Sequence, residues 1–317
     1  MYKFDPRVIK VGISGCLMGQ KVRFDGGHKR SNFCTDELAK FVEFVPVCPE
    51  MAIGLGTPRP SIRLIGGEGG VIAQTAKGQD VTEALRDYGR HMAAQFEGLS
   101  GYVLCAKSPS CGMERVRVYH ESGKGNEKEG VGLYAAEIMQ ALPLLPCEED
   151  GRLNDPILRE NFVTRLYTLH DWQCLLHRGM TPSRLIAFHS RYKYLLMAHH
   201  RDGYQELGRL VADLSSDPEQ RAQEYISRLM QTLTRRASRK GHTNVLQHLQ
   251  GYFKRQLNAR QRQELAGTIH QYREGILPLL APITLLRHYL EEYPNDYLRQ
   301  QVYLNPHPEA LRLRYGI

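Results

Sequence analysis

Ser108-Pro109-Ser110-Cys111-Gly112 follows the apolar run Gly101-Tyr102-Val103-Leu104-Cys105-Ala106, and that junction decides the fold. The run has the length and composition of a buried strand, and the Pro and Gly after it mark a turn that presents Cys111. The same setting recurs twice. Residues 9–14 lead into Gly15-Cys16, and residues 41–47 lead into Cys48-Pro49-Glu50. Open parallel sheets bind their ligands beyond the carboxyl ends of the strands. Three thiols delivered there predict an α/β sheet with a site on that edge.

The neighbouring segments extend this pattern. Residues 8–14, 41–47 and 102–106 read as buried strands, and 116–119 as a further one. Residues 62–65 and 71–73 flank Gly66-Gly67-Glu68-Gly69-Gly70 as a hairpin. Helices are expected from near Thr35, with Thr35 as its cap, from Asp80 to about Phe96, and over 132–142. Residues 48–60 form a Gly/Pro-rich loop too long for a simple connection, 122–130 a charged surface loop, and 144–146 an edge strand. Alternating strands and helices predict an open, mostly parallel, Rossmann-like sheet over residues 1–150. The polar, turn-rich stretch 148–156 marks a boundary. Residues 151–317 then read as helices only: 156–177, from Thr181-Pro182 to about His200, 216–241, 244–257, 258–274 and 282–291, about seven in all.

Composition narrows the function classes. The longest apolar run is far short of the roughly 18 residues that a membrane-spanning helix needs. Residues 1–7 lack the apolar core of a signal peptide, so a cytoplasmic protein with no membrane partner is expected. Seven cysteines in a reducing compartment call for metal, catalytic or plain buried readings. The net charge of +8 is uneven: residues 151–317 hold 24 Lys+Arg against 15 Asp+Glu, and residues 1–150 hold 18 against 19. Ten of the 13 histidines also follow residue 150. A basic half suits a polyanionic partner, although solvated helix faces are also often basic.

Cys16, Cys48 and Cys111 share a preceding strand, a following turn and small or Gly/Pro neighbours. None pairs in a C-x-x-C spacing, which excludes a zinc ribbon and a thioredoxin-like site. Three thiolates on a [4Fe–4S] cluster leave one iron without a protein ligand. The residues alone leave that reading and buried structural cysteines both open. Cys105 reads as packed inside its strand, and Cys34, Cys147 and Cys174 lie on helical or linker segments.

The motifs Ser14-Gly15-Cys16-Leu17, Arg23-Phe24-Asp25-Gly26, Cys48-Pro49-Glu50, Gly54-Leu55-Gly56-Thr57-Pro58-Arg59 and Lys107-Ser108-Pro109-Ser110-Cys111-Gly112 stand in one order. With them, residues 7–147 resemble the thiouracil desulfidase family. The second half, most clearly through Asn244-Val245-Leu246-Gln247-His248-Leu249-Gln250-Gly251-Tyr252, resembles a helical domain found fused to it. The pairing looks like the tRNA 4-thiouridine desulfidases. The resemblance implies a [4Fe–4S] cluster on Cys16, Cys48 and Cys111. It also implies a non-redox conversion of a thiocarbonyl to a carbonyl with release of sulfide. A soft sulfur suits an open iron.

The water that attacks needs a base, and Glu50, two residues after Cys48, is the candidate. Ser108 and Ser110 are candidates for orienting that base or the water, with Ser108 ranked first. Asp25 is a candidate for proton transfer or for the pyrimidine edge, with an Asx-turn as its plainer reading; the plain reading of Arg59 is a partner for a carboxylate. The implied substrate is thiolated tRNA. In the basic half, Arg235, Arg236, Arg239 and Lys240 with Lys254 and Arg255, interleaved with Tyr252 and Phe253, are the candidate RNA contacts.

Overall fold

A computed structural model of the chain describes residues 4–67, 69–122, 125–214 and 217–314. It divides into two compact units, Met1–Asp155 and Pro156–Ile317. The first unit is α/β and the second is helical.

The described strands are β1 (Lys10–Ser14), β2 (Glu43–Val47), β3 (Ile62–Gly67), β4 (Gly70–Thr75), β5 (Gly101–Leu104), β6 (Val116–His120), β7 (Asn126–Gly130) and β8 (Cys147–Glu149). Four of them make a sheet in the order β2-β1-β5-β8, with every pair parallel. Its two central strands are buried along nearly their whole length, which is why they read as continuous apolar runs rather than alternating ones. The other four form a mixed sheet, β4-β3-β6-β7. There β3 pairs antiparallel with β4, parallel with β6, and β6 pairs antiparallel with β7. The inner face of this second sheet, Ile62, Leu64, Ala73 and Val116, closes a core with Val81, Leu85 and Leu133. Leu85 lies on helix α2 (Thr82–Gln95), which follows the four-residue α1 (Pro49–Ala52); Leu133 begins α3 (Leu133–Ala141).

Several expectations change. The charged stretch 122–130 contains a strand, β7, because an edge strand can be exposed throughout and needs no apolar alternation. The edge strand of the parallel sheet is β8 rather than 144–146, so Cys147 is a strand residue. Thr35 caps no helix: it lies within a π-helical turn, Phe33–Glu37, and its hydroxyl donates to the Ser31 carbonyl at 3.1 Å. Glu68 of the expected hairpin loop and Ser216 of an expected helix start lie outside the described residues.

The second unit contains α4 (Pro156–His177), α5 (Pro182–His199), α6 (Arg201–Ala212), α7 (Pro218–Thr234), α8 (Arg239–Tyr252), α9 (Ala259–Arg273), α10 (Leu280–Glu292) and the short α11 (Asp296–Arg299). Thr181 caps α5 through its hydroxyl and Pro182 takes the first turn, as the sequence predicts. The separate α6 is a correction. His200 turns extended after α5, and its Nδ1 accepts from the Gly203 N–H, capping the new helix. The next correction is similar: α7 stops at Thr234, and Ser238 caps α8. Asn258 and Gln261 cap α9 reciprocally. Tyr192, Tyr225, Phe162 and Leu229 are among the fully buried core residues. No helix among the described residues is long and apolar enough to cross a membrane.

Candidate functional site

The carboxyl edge of the parallel sheet carries the site. Cys16 sits in a 3-10 turn, Gly15–Met18, directly after β1. Cys48 follows β2 and precedes α1, whose first residue is Pro49. Cys111 lies in the turn after β5. That turn is tight: the Gly112 N–H bonds the Ser108 carbonyl at 2.8 Å, and a Cβ on Gly112 would meet Val116 at 2.4 Å. The three cysteines line one cavity of about 450 Å³, together with Glu50, Arg59 and Lys29.

A fourth cysteine joins them. Cys105 stands one residue beyond β5; it is buried, as expected, but it also lines the same cavity. Its N–H bonds the Ser14 hydroxyl at 3.0 Å, and its thiol hydrogen-bonds that of Cys16. In this pair the Cys16 thiol is pushed up by the bond to Cys105 and by burial, and the Cys105 thiol is pushed down by that bond. Burial also raises Cys48, and raises Cys111 well above the ordinary thiol range. The protein alone therefore opposes charging the three strand-end thiols. A cationic metal centre is the group that would compensate them, since coordination deprotonates a thiol outright. The described residues contain no group of three or more His, Cys, Asp or Glu arranged to hold a metal ion. Thiols spread around a wide cavity fit a cluster, whose irons each take their own ligand, better than a single ion.

Glu50 is held on both oxygens. Oε1 accepts from the Ser110 hydroxyl at 2.8 Å, and Oε2 accepts from Arg59 Nε at 2.8 Å and from Arg59 Nη2. Arg59, 8% exposed, is fixed in turn by the carbonyls of Gly56 at 2.7 Å and Val22 at 2.8 Å. The plain reading of Arg59, pairing with a carboxylate, holds, and the carboxylate is that of the candidate base. A carboxylate offers about four lone-pair sites. The protein fills both on Oε2 and one on Oε1, leaving one for a proton.

The two serines divide their tasks. Ser110 is fully buried behind Glu50 and orients it. Ser108 lines the cavity, and its oxygen accepts the N–H groups of Ser110 at 3.2 Å and Cys111 at 3.0 Å. Of the two, Ser110 is the one whose hydroxyl meets the candidate base. Asp25 is half-exposed and does not line the cavity; it accepts from the Gly27 N–H at 3.0 Å in an Asx-turn. Lys29, reached from the Gly-rich loop, pairs with Asp150 at 2.8 Å, and Asp150 also accepts from the Ala106 N–H. Sequence reasoning missed this pair because its members lie 121 residues apart.

The candidate RNA contacts behave unequally. Arg236, Lys240, Lys254 and Arg255 are exposed on the helical unit. Arg235 is bonded to His200, and Arg239 donates to the Tyr272 carbonyl at 2.6 Å while covering the Tyr272 ring. Phe253 is 2% exposed and cannot stack on a base, whereas Tyr252 is exposed.

Residues 11–150 match the family described as 2-thiouracil desulfurase, and residues 193–308 match the protein of unknown function family DUF1722. The Escherichia coli (strain K12) uncharacterized protein YbgA is 36% identical over 159 residues, which are 50% of this chain and 94% of that protein. A solved structure of the [4Fe-4S]-dependent thiouracil desulfidase TudS is 30% identical. That match covers 46% of this chain and 94% of the TudS chain, with a TM-score of 0.39.

Proposed function

Because the chain belongs to the YbgA family and opens with a 2-thiouracil desulfurase domain, we propose that it replaces the sulfur of a thiolated uridine in tRNA by oxygen. The reaction balances as C=S plus water giving C=O plus hydrogen sulfide, with no net oxidation. One observation carries the reading: a carboxylate with a single open lone pair faces a cavity walled by three strand-end cysteines.

Cys16, Cys48 and Cys111 are the residues that would hold a [4Fe–4S] cluster, which supplies a soft Lewis acid for the thiocarbonyl sulfur when bound. The rest falls to the chain. Arg59 locks the Glu50 carboxylate in place and Ser110 fixes its rotation. Oε1 then takes a proton from the attacking water and can return it to the departing sulfide. Ser108 shapes the Cys111 turn and presents its hydroxyl to the cavity. Lys29 adds positive charge beside Cys16 and Cys105. Phe24, 42% exposed at the cavity wall, offers a ring face to a pyrimidine. Asp25 is left outside the chemistry.

The net charge of residues 151–317 supports a polyanionic substrate, with Arg236, Lys240, Lys254 and Arg255 as available cations. A base in tRNA must leave its stack to reach such a cavity. The name of the matching family favours a second reading, turnover of free thiouracil. Anaerobically reconstituted full-length protein should remove the 4-thiouridine absorbance of tRNA and release an equal amount of sulfide. Turnover of free 4-thiouracil with none of tRNA would select the second reading, and no loss of either with a full cluster would end both.

A further inference from the structure

A second cavity, of about 520 Å³, adjoins the first and shares with it Ser61, Ile62, Lys107 and Pro109. Its other walls come from the mixed sheet. Arg63 on β3, Arg117 and Tyr119 on β6, and Lys128 on β7 line it, with Arg115 at the entry to β6. Strand geometry sorts these charges. Arg63 stands between buried Ile62 and Leu64, and Arg117 follows buried Val116, so both belong to the sheet's outer face. On β7 the register slips between Glu127, opposite Val118, and Gly130, opposite Val116, so Lys128 and Glu129 together stand opposite Arg117.

The residues that line the groove include five cations and no acid. Arg115 pairs with Glu114 at 3.4 Å. Among the described residues, Arg63, Lys107, Arg117 and Lys128 have no carboxylate partner. Arg63 lies over the Tyr119 ring, 5.1 Å from its centre, so an aromatic face and a guanidinium are already stacked there. Lys107 and Arg115 also hold positive φ angles, 65° and 55°, a region that non-glycine residues enter at a cost. Like charges side by side on a sheet destabilise it. A protein gains nothing structural from gathering them here.

The geometry points to this groove as the seat of the phosphodiester backbone that flanks the thiolated base, on the catalytic unit itself. This inference rests on the proposed desulfuration of a polynucleotide. A base in the first cavity carries its neighbouring phosphates out through the shared rim, and the groove is where that anionic chain meets cations and a stacking ring. It gives the first unit its own means of preferring a nucleotide chain over a free base, although residues 1–150 carry a net charge of −1.

The test removes Arg63, Arg117 and Lys128 together as Arg63→Gln/Arg117→Gln/Lys128→Gln in the full chain, leaving Lys107 because it also lines the first cavity. Binding of an unmodified tRNA transcript is measured against salt, which needs no turnover. Each lost phosphate contact lowers the slope of log K against log salt by roughly 0.7–0.9. The triple variant should bind tRNA about 10- to 100-fold more weakly with a slope smaller by about 2, and its rate on free 4-thiouracil should match that of the unaltered protein. Arg63→Lys/Arg117→Lys, which keeps the charge, should keep most of the affinity. An unchanged slope overturns the inference, as does an equal loss of turnover on free base and tRNA. If the triple variant loses tRNA binding while neither protein desulfurates anything, the groove stands and the proposed reaction falls.

Discussion

Two arginine–glutamate pairs, one in each unit, stand in opposite settings. In the first unit Arg59 holds Glu50 beside a cavity of about 450 Å³. In the helical unit Arg314 holds Glu160 through Nε at 2.7 Å, and His307 stands 3.9 Å away. The space beside Glu160 is about 30 Å³, enough for roughly one water. Burial alone would raise the Glu160 carboxyl, but the Arg314 charge, the bond from Arg314 and the nearby His307 take it down to about 2. Arg314 is fixed further by the Tyr303 carbonyl and ring. Both carboxylates are gripped by an arginine that is itself tied to backbone carbonyls. Only Glu50 has room beside it for a reactant. Burial and pairing alone therefore do not mark a catalytic acid or base, and neither does exposure, since the Glu160 side chain is 22% exposed against 14% for Glu50; a cavity beside the carboxylate does.

The sharpest way to break this comparison is to neutralise each carboxylate. Glu50→Gln should lower desulfuration by about 10²- to 10⁴-fold. The cluster absorbance should remain, because no cysteine is touched, although stability should also fall, since the buried Arg59 charge loses its partner. Activity within threefold of the unaltered protein would remove Glu50 as the base. Glu160→Gln should cost stability alone. It strands the buried Arg314 charge, and removing one member of a buried pair costs about 3 kcal/mol or more. Urea unfolding of the helical unit should show that loss, while turnover per folded molecule stays constant.

Acid sharpens the contrast further. His242 is 8% exposed, and its Nδ1 meets the Tyr303 hydroxyl at 3.0 Å. Burial lowers its pKa to about 3, helped by Arg314 and partly opposed by Glu160. An unfolded histidine titrates near 6.5. As pH falls from about 6.5 toward 3, the unfolded chain binds a proton that the folded one refuses, so stability falls with pH through that window. Between pH 6.5 and 4.5 this amounts to roughly 2–3 kcal/mol for His242 alone. His199, lowered by burial to about 4, acts in the same direction. The Glu160 contribution survives longer, being lost only as pH falls from about 4.5 toward 2. Urea titrations at pH 6.5 and 4.5 should show the helical unit weakening, and His242→Gln should flatten the dependence. An equally steep dependence in that variant would assign it elsewhere.

The parallel sheet was legible because buried central strands are spelled as unbroken apolar runs, and each ended in a cysteine and a turn. The mixed sheet was only half legible. Its hairpin announced itself through glycines, but Asn126-Glu127-Lys128-Glu129-Gly130 is a strand only by virtue of its partner β6. Cys105 was misplaced by a single residue at a strand end, where sequence reading is weakest. The break between α5 and α6 hid because helical spacing continues across it, and only the His200 side chain, turned back as a cap, makes it. The site partners escaped for a simpler reason: nothing local in a sequence couples Ser110 to Glu50, 60 residues away, or Lys29 to Asp150.

The smallest expected effect separates the two serines, and it bears on how Glu50 differs from Glu160. Ser110 donates to Glu50 Oε1, the oxygen with the remaining lone pair, so it sets where that lone pair points. Ser110→Ala leaves Arg59 in place and should slow desulfuration by about tenfold, near 1.4 kcal/mol, the scale of one hydrogen bond to a charged group. As a positioning residue it should change kcat more than KM, and Ser110→Thr should recover part of the rate. Ser108 instead accepts the N–H groups of Ser110 and Cys111. Ser108→Ala leaves two backbone donors of the cysteine turn without that partner. Its signature should therefore be easier loss of the cluster to a chelator, with a smaller change in kcat on fully loaded protein. If Ser108→Ala proves the slower enzyme at full loading, Ser108 rather than Ser110 guides the proton.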